Sequence, residues 1–528
     1  MKRQNPSIFN DIVGPTMVGP SSSHTCGPSR IGFLCSQFIN GKLLKATIEF
    51  AEKGAYTNMY KGQKSDLGFV NGLLGNRPED ISLRNSFKIA EERGIDIEFK
   101  ISDFEPIVPN IAKLTLESDL GEKAVLYSDS TGGGTVKLLK YNDFELNIVG
   151  DCYELLIFAD KCNFEKLSEK LKNIFKMNEG FLCSEKEEEI MVNLKLKDEL
   201  SSSLLTELEK IEEIKTFKVI KPILVVPSNR NIKMPFESAE ELLKISEESN
   251  KELWELGIEY EMARSGWNKE QVWDYMRYVV ETMEASIKGA LKGDIDMNGI
   301  ISPTAGKIYS YYNAGKPWID MGLLNTGVPY GMATMEYSSA MGVVLCAPTG
   351  GSAGVFPGAI LGISEKLNLT MEEKIKAMFV TAVTGIVMSK DYNYSAELYG
   401  CQVEPGAASA MAASGLVYMV GGSTRQSLAA ASCAIQNILG TICDPVAGLV
   451  QVPCISRNAM SVANAVVSAN LILGGYDPLI PLDEAAETMF RVGKQLPSEL
   501  RCTCNGGLCI TKTGKRLAEE QEIRNNTR

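Results

Sequence analysis

Residues 153–220 carry the most constraining pattern in the chain, because strand and helix periodicities alternate there over short distances. Tyr153–Phe158 is an apolar run of strand length. Leu167 and Leu171 recur at helical spacing and indicate a helix at Phe164–Ile174. A hairpin follows, from Gly180–Ser184 to the alternating residues Ile190, Val192, Leu194 and Leu196. A second helix carries Leu204, Leu205, Leu208 and Ile211, and Ile214–Ile220 is the last strand. The pattern predicts the order βαββαβ.

This order resembles the ferredoxin-like ACT domain, a module that often binds an amino acid at a subunit interface and adjusts an attached enzyme. The resemblance implies an ACT-like domain over residues 148–222 with an amino-acid effector site. A role restricted to dimerisation is the alternative. We expect the chain to form a homodimer.

A chain of 528 residues is too long for one ordinary hydrophobic core, and its length predicts about three domains. Residues 1–147 mix short strands such as Lys45–Phe50 and Ala124–Tyr127 with a helix at Ser86–Arg93, which is typical of an α/β domain. Prolines follow the ACT-like segment and disfavour continued sheet because they lack an N–H group. Pro222, Pro227 and Pro235 therefore indicate a linker over residues 223–235.

Residues 236–520 are predicted to form a mainly α-helical domain, followed by a tail at 521–528. Ser238 stands three residues before Glu241, a capping-box spacing that predicts one long helix through Leu242, Leu243, Ile245 and Leu253. Beyond it the sequence is rich in Ala, Gly, Ser and Met, and small residues let helices approach closely. The predicted fold class is α+β multidomain.

The composition of the chain limits the kinds of partner that the protein is expected to bind. The net charge of -12 argues against nucleic acid, which requires clustered Lys and Arg, so we expect a small-molecule partner. Tyr337–Ser364 carries no charged residue and is long enough to span a bilayer, but Pro348 and Pro357-Gly358 would break a spanning helix. We expect a buried helix and glycine loop there, no membrane insertion and a cytoplasmic protein, since the N-terminus shows no secretory signal.

The chain has 13 cysteines and a single histidine, His24. In a large cytoplasmic protein these cysteines are not expected to form a disulfide framework, and most are expected to be buried thiols. A subset can bind metal. The single histidine nearly excludes His-rich metal sites and any mechanism that uses two imidazoles.

Three cysteines stand beside turn-forming residues, in Gly400-Cys401-Gln402 and in the segment from Cys443-Asp444-Pro445 to Pro453-Cys454. Three thiolates without histidine suit a soft, sulfur-loving centre, and a four-iron cluster held by three cysteines leaves one iron open. Spacing alone also fits buried thiols, because Cys401 is distant in sequence and no short CxxC repeat is present.

Several longer segments together are more specific. Ala347–Gly354, the Cys401 segment and Cys443–Met460 resemble, in order, the α part of the iron-sulfur L-serine dehydratases. Gly14–Thr25 resembles the β part of that family. With the ACT-like segment between them, the resemblance covers nearly the whole chain and implies that two parts, which other members keep on separate chains, are fused here.

The resemblance implies that Cys401, Cys443 and Cys454 ligate a 4Fe-4S cluster and that the Ser21–Thr25 loop reaches an amino-acid substrate. It implies a catalytic role for His24 and Ser23, and substrate contacts from Ser21, Ser22, Thr25, Thr349, Ser352, Arg457 and Asn458. The hydroxyl and amide groups of the Ser21–Thr25 loop can hold a carboxylate or an ammonium. The alternative for this loop is an ordinary solvent-exposed turn.

The implied reaction eliminates water from serine, and the product enamine then rearranges and hydrolyses to pyruvate and ammonia. An open iron can act as Lewis acid for the hydroxyl. A base must take the Cα proton, and His24 is a candidate for that base or for orienting the substrate. A serine, a lysine or a cluster-bound species is the alternative base.

The chain departs from the family at several places. Lys61-Gly62-Gln63 stands where Lys-Gly-His is common, and Ser302–Lys307 stands where a Ser- or Thr-Gly-Gly segment is frequent. Cys502, Cys504 and Cys509 lie near the end of the helical domain, in a segment that otherwise resembles the family, and they could be spare thiols, a plug for the open iron or redox-sensitive groups. Among these, spare thiols are favoured.

Other functions remain open at this point. The dehydratase could act on threonine, cysteine or another β-substituted amino acid. A pyridoxal-phosphate dehydratase would use Thr131–Thr135 as a phosphate loop, but no Schiff-base lysine context accompanies it, and a turn is the better interpretation. A non-enzymatic amino-acid sensor built on the ACT-like segment is the third option.

Overall fold

The computed structural model describes residues 5–57, 59–176, 181–227, 232–315, 318–390 and 392–526. The N-terminal part is built on one six-stranded sheet of order β3-β2-β4-β5-β6-β7, in which β2 and β3 are parallel and the other neighbours antiparallel. Its strands and helices, with a separate first strand, are β1 Thr16–Val18, α1 Gly27–Ser36, β2 Leu43–Ala51, α2 Ser65–Leu73, α3 Ser86–Glu92, β3 Asp96–Ser102, β4 Ile111–Ser118, β5 Lys123–Gly132, β6 Thr135–Tyr141 and β7 Phe144–Ile148. The predicted strands and the helix at Ser86 are confirmed.

Helices α1 and α2 pack against each other and against one face of this sheet. A methyl group at Gly72 would overlap the carbonyl oxygen of Ser29, and one at Gly32 would overlap that of Phe69. The core beneath them is apolar and fully buried, with Ile31, Leu34, Phe38, Ile48, Phe50, Phe69 and Leu114. This packing fixes the turn that precedes α1, which carries His24.

The ACT-like segment has the predicted order, although Gly180 of the predicted hairpin lies outside the described residues. Its elements are β8 Tyr153–Asp160, α4 Phe164–Phe175, β9 Leu182–Lys186, β10 Glu189–Leu196, α5 Ser202–Glu209 and β11 Thr216–Ile220, in an antiparallel sheet of order β11-β8-β10-β9. Leu155 and Ile157 face α4 and α5, whereas Leu156 and Phe158 join the core of the N-terminal sheet. Residues 155–159 of β8 are apolar because both faces of the strand are buried there.

The predicted single helix from Ser238 through Leu253 is wrong. Ser238 does cap a helix by accepting a hydrogen bond from the Glu241 N–H, but α6 covers only Ala239–Ser249. Asn250 then adopts a left-handed conformation with φ +54°, and a new helix, α7, starts at Leu253. Sequence periodicity continued across this break because both helices bury apolar residues in the same core.

The rest of the chain is helical, as predicted, apart from one short strand. The elements are α7 Leu253–Ser265, α8 Lys269–Leu291, α9 Ala305–Asn313, α10 Leu324–Ser339, β12 Val343–Leu345, α11 Ile363–Lys366, α12 Met371–Met388, α13 Ala396–Tyr399, α14 Pro405–Met419, α15 Thr424–Gln436, α16 Cys454–Leu473, α17 Leu482–Gln495 and α18 Lys512–Asn526. Strand β12 pairs antiparallel with β1, with Thr16 opposite Leu345. This pairing joins the start of the chain to the helical part.

Small residues permit the close helix packing that the sequence predicted. Helix α14 is buried along most of its length, and a methyl group at Gly415 would overlap the Thr381 hydroxyl of α12. The uncharged stretch Tyr337–Ser364 contains the end of α10, strand β12 and buried turns. Within the described ranges, no helix combines the length and the apolar character needed to cross a membrane.

The N-terminal segment is anchored to α7 by a buried carboxyl group, that of Glu261. This group accepts hydrogen bonds from the Ser7 hydroxyl and from the Ile8 N–H, each at 2.7 Å. Burial raises the pKa of Glu261 to about 7, although both hydrogen bonds and Arg264 oppose the shift. The ordinary pKa of 4.5 applies to the unfolded chain.

We therefore predict that the free energy of unfolding depends on pH and that Glu261→Gln reduces this dependence. Between pH 4.5 and about 7 the folded protein holds the proton and the unfolded chain does not, so the free energy of unfolding falls as the pH rises through this window. The loss attributable to Glu261 is at most about 3 kcal/mol. Urea unfolding of wild type and variant from pH 5 to pH 8, followed by circular dichroism, measures it.

The matched control is Glu259→Gln, which removes an exposed carboxyl group from the same helix and should leave the slope unchanged. Equal pH slopes in wild type and Glu261→Gln would contradict the prediction.

Candidate functional site

The Ser21–Thr25 loop is a buried turn, and the alternative of a solvent-exposed turn is wrong. Ser22–Cys26 forms one wide helical turn, capped by the Ser21 hydroxyl, which accepts from the His24 N–H at 3.1 Å. The Thr25 hydroxyl donates to the Gln63 carbonyl oxygen at 2.7 Å, and the Ser130 hydroxyl donates to the Ser23 carbonyl oxygen at 2.7 Å. These bonds hold the loop against the N-terminal sheet.

His24 lies at the centre of this loop and is fully buried. Its Nδ1 is 2.9 Å from the Ser23 hydroxyl and 3.6 Å from Oε1 of Glu397, while the edge of its ring contacts Tyr56. Its Nε2 is buried and has no hydrogen-bond partner among the described residues. Burial lowers the pKa of His24, and the Glu397 carboxylate opposes that shift.

The Thr349–Ser352 segment packs directly on the His24 loop from the helical half. The Gly350 N–H donates to the Ser22 hydroxyl at 3.0 Å. The Thr349 hydroxyl donates to Oε1 of Glu404 at 2.7 Å and lies 3.1 Å from the Ser352 hydroxyl. The predicted residues of the two distant segments are therefore brought together.

Asn458 fixes the other side of this segment. Its amide nitrogen donates to the carbonyl oxygens of Gly351 at 2.8 Å and Cys454 at 2.9 Å, and its amide oxygen accepts from the Gly354 N–H at 3.1 Å. Most of its hydrogen-bonding capacity is thus used within the protein. These bonds tie the glycine loop to the first turn of α16.

A buried sulfur-rich group lies next to these loops. The ligand atoms of Cys401, Glu404 and Cys443 all lie within 4.8 Å of one another. Gly400, with φ +77°, allows the chain to turn before Cys401. Cys454, the first residue of α16, lies outside this group, although Cys401 contributes to the raised pKa of its thiol after burial. A hydrogen bond with Cys443 and burial raise the pKa of Cys401 in the absence of metal.

Arg457 connects the cysteine segments. It forms an ion pair with Asp444 at 2.8 Å, donates to the Ile442 carbonyl oxygen at 2.8 Å and places Nη1 3.6 Å from the Cys401 sulfur. A positive charge at this position favours thiolate over thiol at Cys401.

The three cysteines near the end of the helical domain, Cys502, Cys504 and Cys509, divide into two sets. The chain at Cys502 pairs with Cys443, because the Cys502 N–H donates to the Cys443 carbonyl oxygen at 2.9 Å, and the two thiols also interact. Cys504 and Cys509 instead contact each other and the Pro445 carbonyl oxygen. The role of these three cysteines as spare thiols stays a prediction. Cys504 and Cys509 also line an open cavity of about 640 Å³, beside Lys61, Gly448 and Gln521.

Two carboxylates of the site, the buried Glu397 and the half-buried Glu404, were missed by the sequence analysis. Glu404 lies three residues after Cys401, but nothing in this spacing indicated that it would face Thr349. Glu397 lies four residues before Cys401, and its contact with His24 depends on the folding of two distant segments. Burial, together with Glu397, raises the pKa of Glu404 to about 8 and that of Asp129 to about 6.

The remaining motifs have structural positions. Thr131–Thr135 forms the turn between β5 and β6, as expected, with Gly132, Gly133 and Gly134 at positive φ. Gln63, the departure from the family pattern, contributes its carbonyl oxygen to Thr25. The N–H groups of Thr304 and Ala305 both donate to Glu336. All 13 cysteines are free thiols.

A second acidic group lies in the ACT-like part. Ligand atoms of Asp151, Cys152 and Glu154 are within 4.8 Å of one another. Lys195 forms a buried ion pair with Glu154 at 2.6 Å, and Asn193 donates to the same carboxylate at 2.9 Å. The ion pair and the hydrogen bond give Glu154 a structural role in the packing of β8 against β10.

Sequence comparisons cover both halves of the chain. The model of the family "Serine dehydratase alpha chain" matches residues 248–509. The "Probable L-serine dehydratase, alpha chain" of Bacillus subtilis (strain 168) is 38% identical over 285 residues, which are 54% of this chain and 95% of that protein. The "L-serine dehydratase, alpha chain" of Peptoniphilus asaccharolyticus is 36% identical, over 54% of this chain and 97% of its own length.

A third relative extends over the N-terminal part as well. The "L-serine dehydratase" of Haemophilus influenzae is 27% identical over 519 residues, covering 93% of this chain and 96% of that protein. Because it covers 93% of this chain, this alignment includes Cys401 and most of the N-terminal part.

Proposed function

The chain belongs to the L-serine dehydratase family, with the parts for β and α fused, and from this premise we propose that it eliminates water from L-serine to give pyruvate and ammonia. The observation that carries the proposal is the meeting of His24 with the sulfur-rich group in one buried region. Ser22 of the His24 turn accepts from the Gly350 N–H, and the neighbouring Thr349 donates to Glu404. The Glu404 carboxylate lies within 4.8 Å of the Cys401 and Cys443 sulfurs. These contacts support a single site that combines the proposed proton acceptor with the proposed metal-binding group.

The proposal includes a 4Fe-4S cluster held by Cys401, Cys443 and Cys454. The donor set supports this cofactor, since the sulfurs of Cys401 and Cys443 lie within 4.8 Å of each other, the Cys454 thiol is near enough for Cys401 to act on its pKa, and the chain has no second histidine. Each thiolate of such a cluster binds a different iron, so the three sulfurs need not be as close as the ligands of a single ion. When bound, the cluster would supply a Lewis-acidic iron for the substrate hydroxyl.

His24 is proposed to take the Cα proton through Nε2. This nitrogen is buried and unpartnered among the described residues, a cost of about 1–3 kcal/mol that a bound ligand would relieve. Neutral imidazole is the form that accepts a proton, and burial lowers the pKa of His24 and so favours this form. Ser23 is proposed to assist by its contact with Nδ1 at 2.9 Å.

Substrate contacts are proposed from the turn and from the glycine segment, through Ser21, Ser22, Thr25, Thr349, Ser352, Arg457 and Asn458. The structure supports different roles within this set. Thr25 and Asn458 are engaged with backbone groups of the protein and would shape the site. The Thr349 hydroxyl instead donates to Glu404, whose carboxylate lies within 4.8 Å of the Cys401 and Cys443 sulfurs.

The proposal also covers location and assembly. We propose that the protein is cytoplasmic, because 13 free thiols and an iron-sulfur cluster suit a reducing compartment. We also propose that it forms a homodimer. We propose that the ACT-like segment binds an amino-acid effector, supported by its order β11-β8-β10-β9, which is that of the ferredoxin-like fold.

An anaerobic assay tests the proposed reaction. Pyruvate and ammonia should appear in equal amounts from L-serine, and L-threonine and L-cysteine should be turned over more slowly. Absence of pyruvate from serine, in protein that contains its full iron, would contradict the proposed activity. Faster turnover of threonine or cysteine would instead reassign the substrate.

The ligand assignment is tested by single substitutions. Cys401→Ser, Cys443→Ser and Cys454→Ser should each lose most of the iron and nearly all activity, because each removes a thiolate from a three-ligand site. Cys433→Ser is the matched control, since Cys433 is a buried thiol in the core of α15. Equal iron content in all four variants would show that the three cysteines are not ligands.

The proposed base is tested by His24→Asn. The variant should keep its iron and its fold while turnover falls by about a hundredfold or more, the scale of a general base. Because burial lowers the pKa of His24, wild-type activity should fall only as the pH drops below about 6.5, and the variant should lack this acid limb. Near-normal turnover with an unchanged pH profile would eliminate His24 as the base.

A further inference from the structure

Glu397 faces one ring nitrogen of His24 across the boundary between the N-terminal sheet and the helical half. Its Oε1 lies 3.6 Å from Nδ1, and the two side chains are 5% and 0% exposed. The other carboxylate oxygen accepts a hydrogen bond from the Ser395 hydroxyl at 2.8 Å. Glu397 is thus held in place beside Nδ1, and Nε2 points away from it.

The carboxylate of Glu397 influences which ring nitrogen of the neutral imidazole carries the hydrogen. Neutral histidine carries one N–H, on either Nδ1 or Nε2, and the nitrogen without hydrogen is the acceptor. The Ser23 hydroxyl, 2.9 Å from Nδ1, can donate or accept and does not decide between the two forms. A negative charge beside Nδ1 favours the form with the hydrogen on Nδ1.

We propose that Glu397 is a positioning residue that keeps the proton of neutral His24 on Nδ1 and leaves Nε2 free to accept a proton from the substrate. The inference rests on the proposed function only for the identity of that substrate. The buried, unpartnered Nε2 supports it independently, because an N–H at this position would have no acceptor among the described residues.

The other titratable groups of the region do not replace Glu397 in this role. Tyr56 meets the His24 ring at its edge. Asp129, Glu404 and Cys502 lie within the electrostatic reach of Glu397. Among these groups, Glu397 is the one whose charge acts on the pKa of His24.

The single histidine makes the proton position directly measurable. Full-length holoprotein labelled with ¹⁵N-histidine, with any affinity tag removed, contains one imidazole, so a long-range ¹H–¹⁵N spectrum reports one Nδ1 and one Nε2. At pH 7.5 the wild type should show a protonated Nδ1 and an unprotonated Nε2. A protonated Nε2 in the wild type would overturn the proposal, whatever the behaviour of any variant.

Glu397→Gln tests the cause. Its amide can donate to Nδ1, so we expect the proton to move towards Nε2 and kcat for serine to fall about a hundredfold at matched iron content. Loss of the negative charge also moves the acid limb of kcat/KM to lower pH, because a nearby anion raises the pKa of a histidine. Glu397→Asp retains the charge and should keep the Nδ1 proton and most of the acid limb.

Glu261→Gln, which removes a buried carboxyl group outside the site, is the control and should alter neither the spectrum nor the pH profile. An unchanged imidazole spectrum and acid limb in Glu397→Gln would overturn the proposal. Failure of the wild type to dehydrate serine would instead contradict the proposed function, and the spectrum would still decide the role of Glu397.

Discussion

The two halves of the chain meet at the buried turn Ser22–Cys26, which is packed from both sides. The N-terminal sheet holds it through the Ser130 hydroxyl, and the helical half holds it through the Gly350 N–H. His24 lies within this turn and therefore reaches Glu397 of the helical half. Because His24 belongs to one half and the cysteines belong to the other, the proposed site depends on this contact.

The close approach of the two halves requires small residues and leaves polar atoms without partners. A methyl group at Gly350 would lie 2.7 Å from the Ser22 nitrogen, so a larger side chain would displace the turn. Full burial of an imidazole whose Nε2 has no partner in the described part of the chain costs free energy of folding. Such a cost is expected where a protein keeps a group ready for a ligand rather than satisfied by its own chain.

Local patterns in the sequence predicted the fold further than they predicted the site. The ACT-like order, the Ser238 cap and the helical C-terminal half followed from periodicity and capping chemistry. Resemblance brought His24, Thr349 and Cys401 into one hypothesis, and the structure places them in one region. The pairing of Thr16 with Leu345 and the contact of His24 with Glu397 could not be predicted, because each depends on the packing of segments more than 300 residues apart.

The central claim is that this buried region is an iron-sulfur site whose open iron enables the elimination. Iron and acid-labile sulfide should therefore be determined in anaerobically purified protein, together with its rate of serine dehydration, before and after complete removal of iron. The account predicts about four irons and four sulfides per chain and loss of turnover when they are removed. Full turnover in iron-free protein, or a stoichiometric content of pyridoxal phosphate, would contradict it.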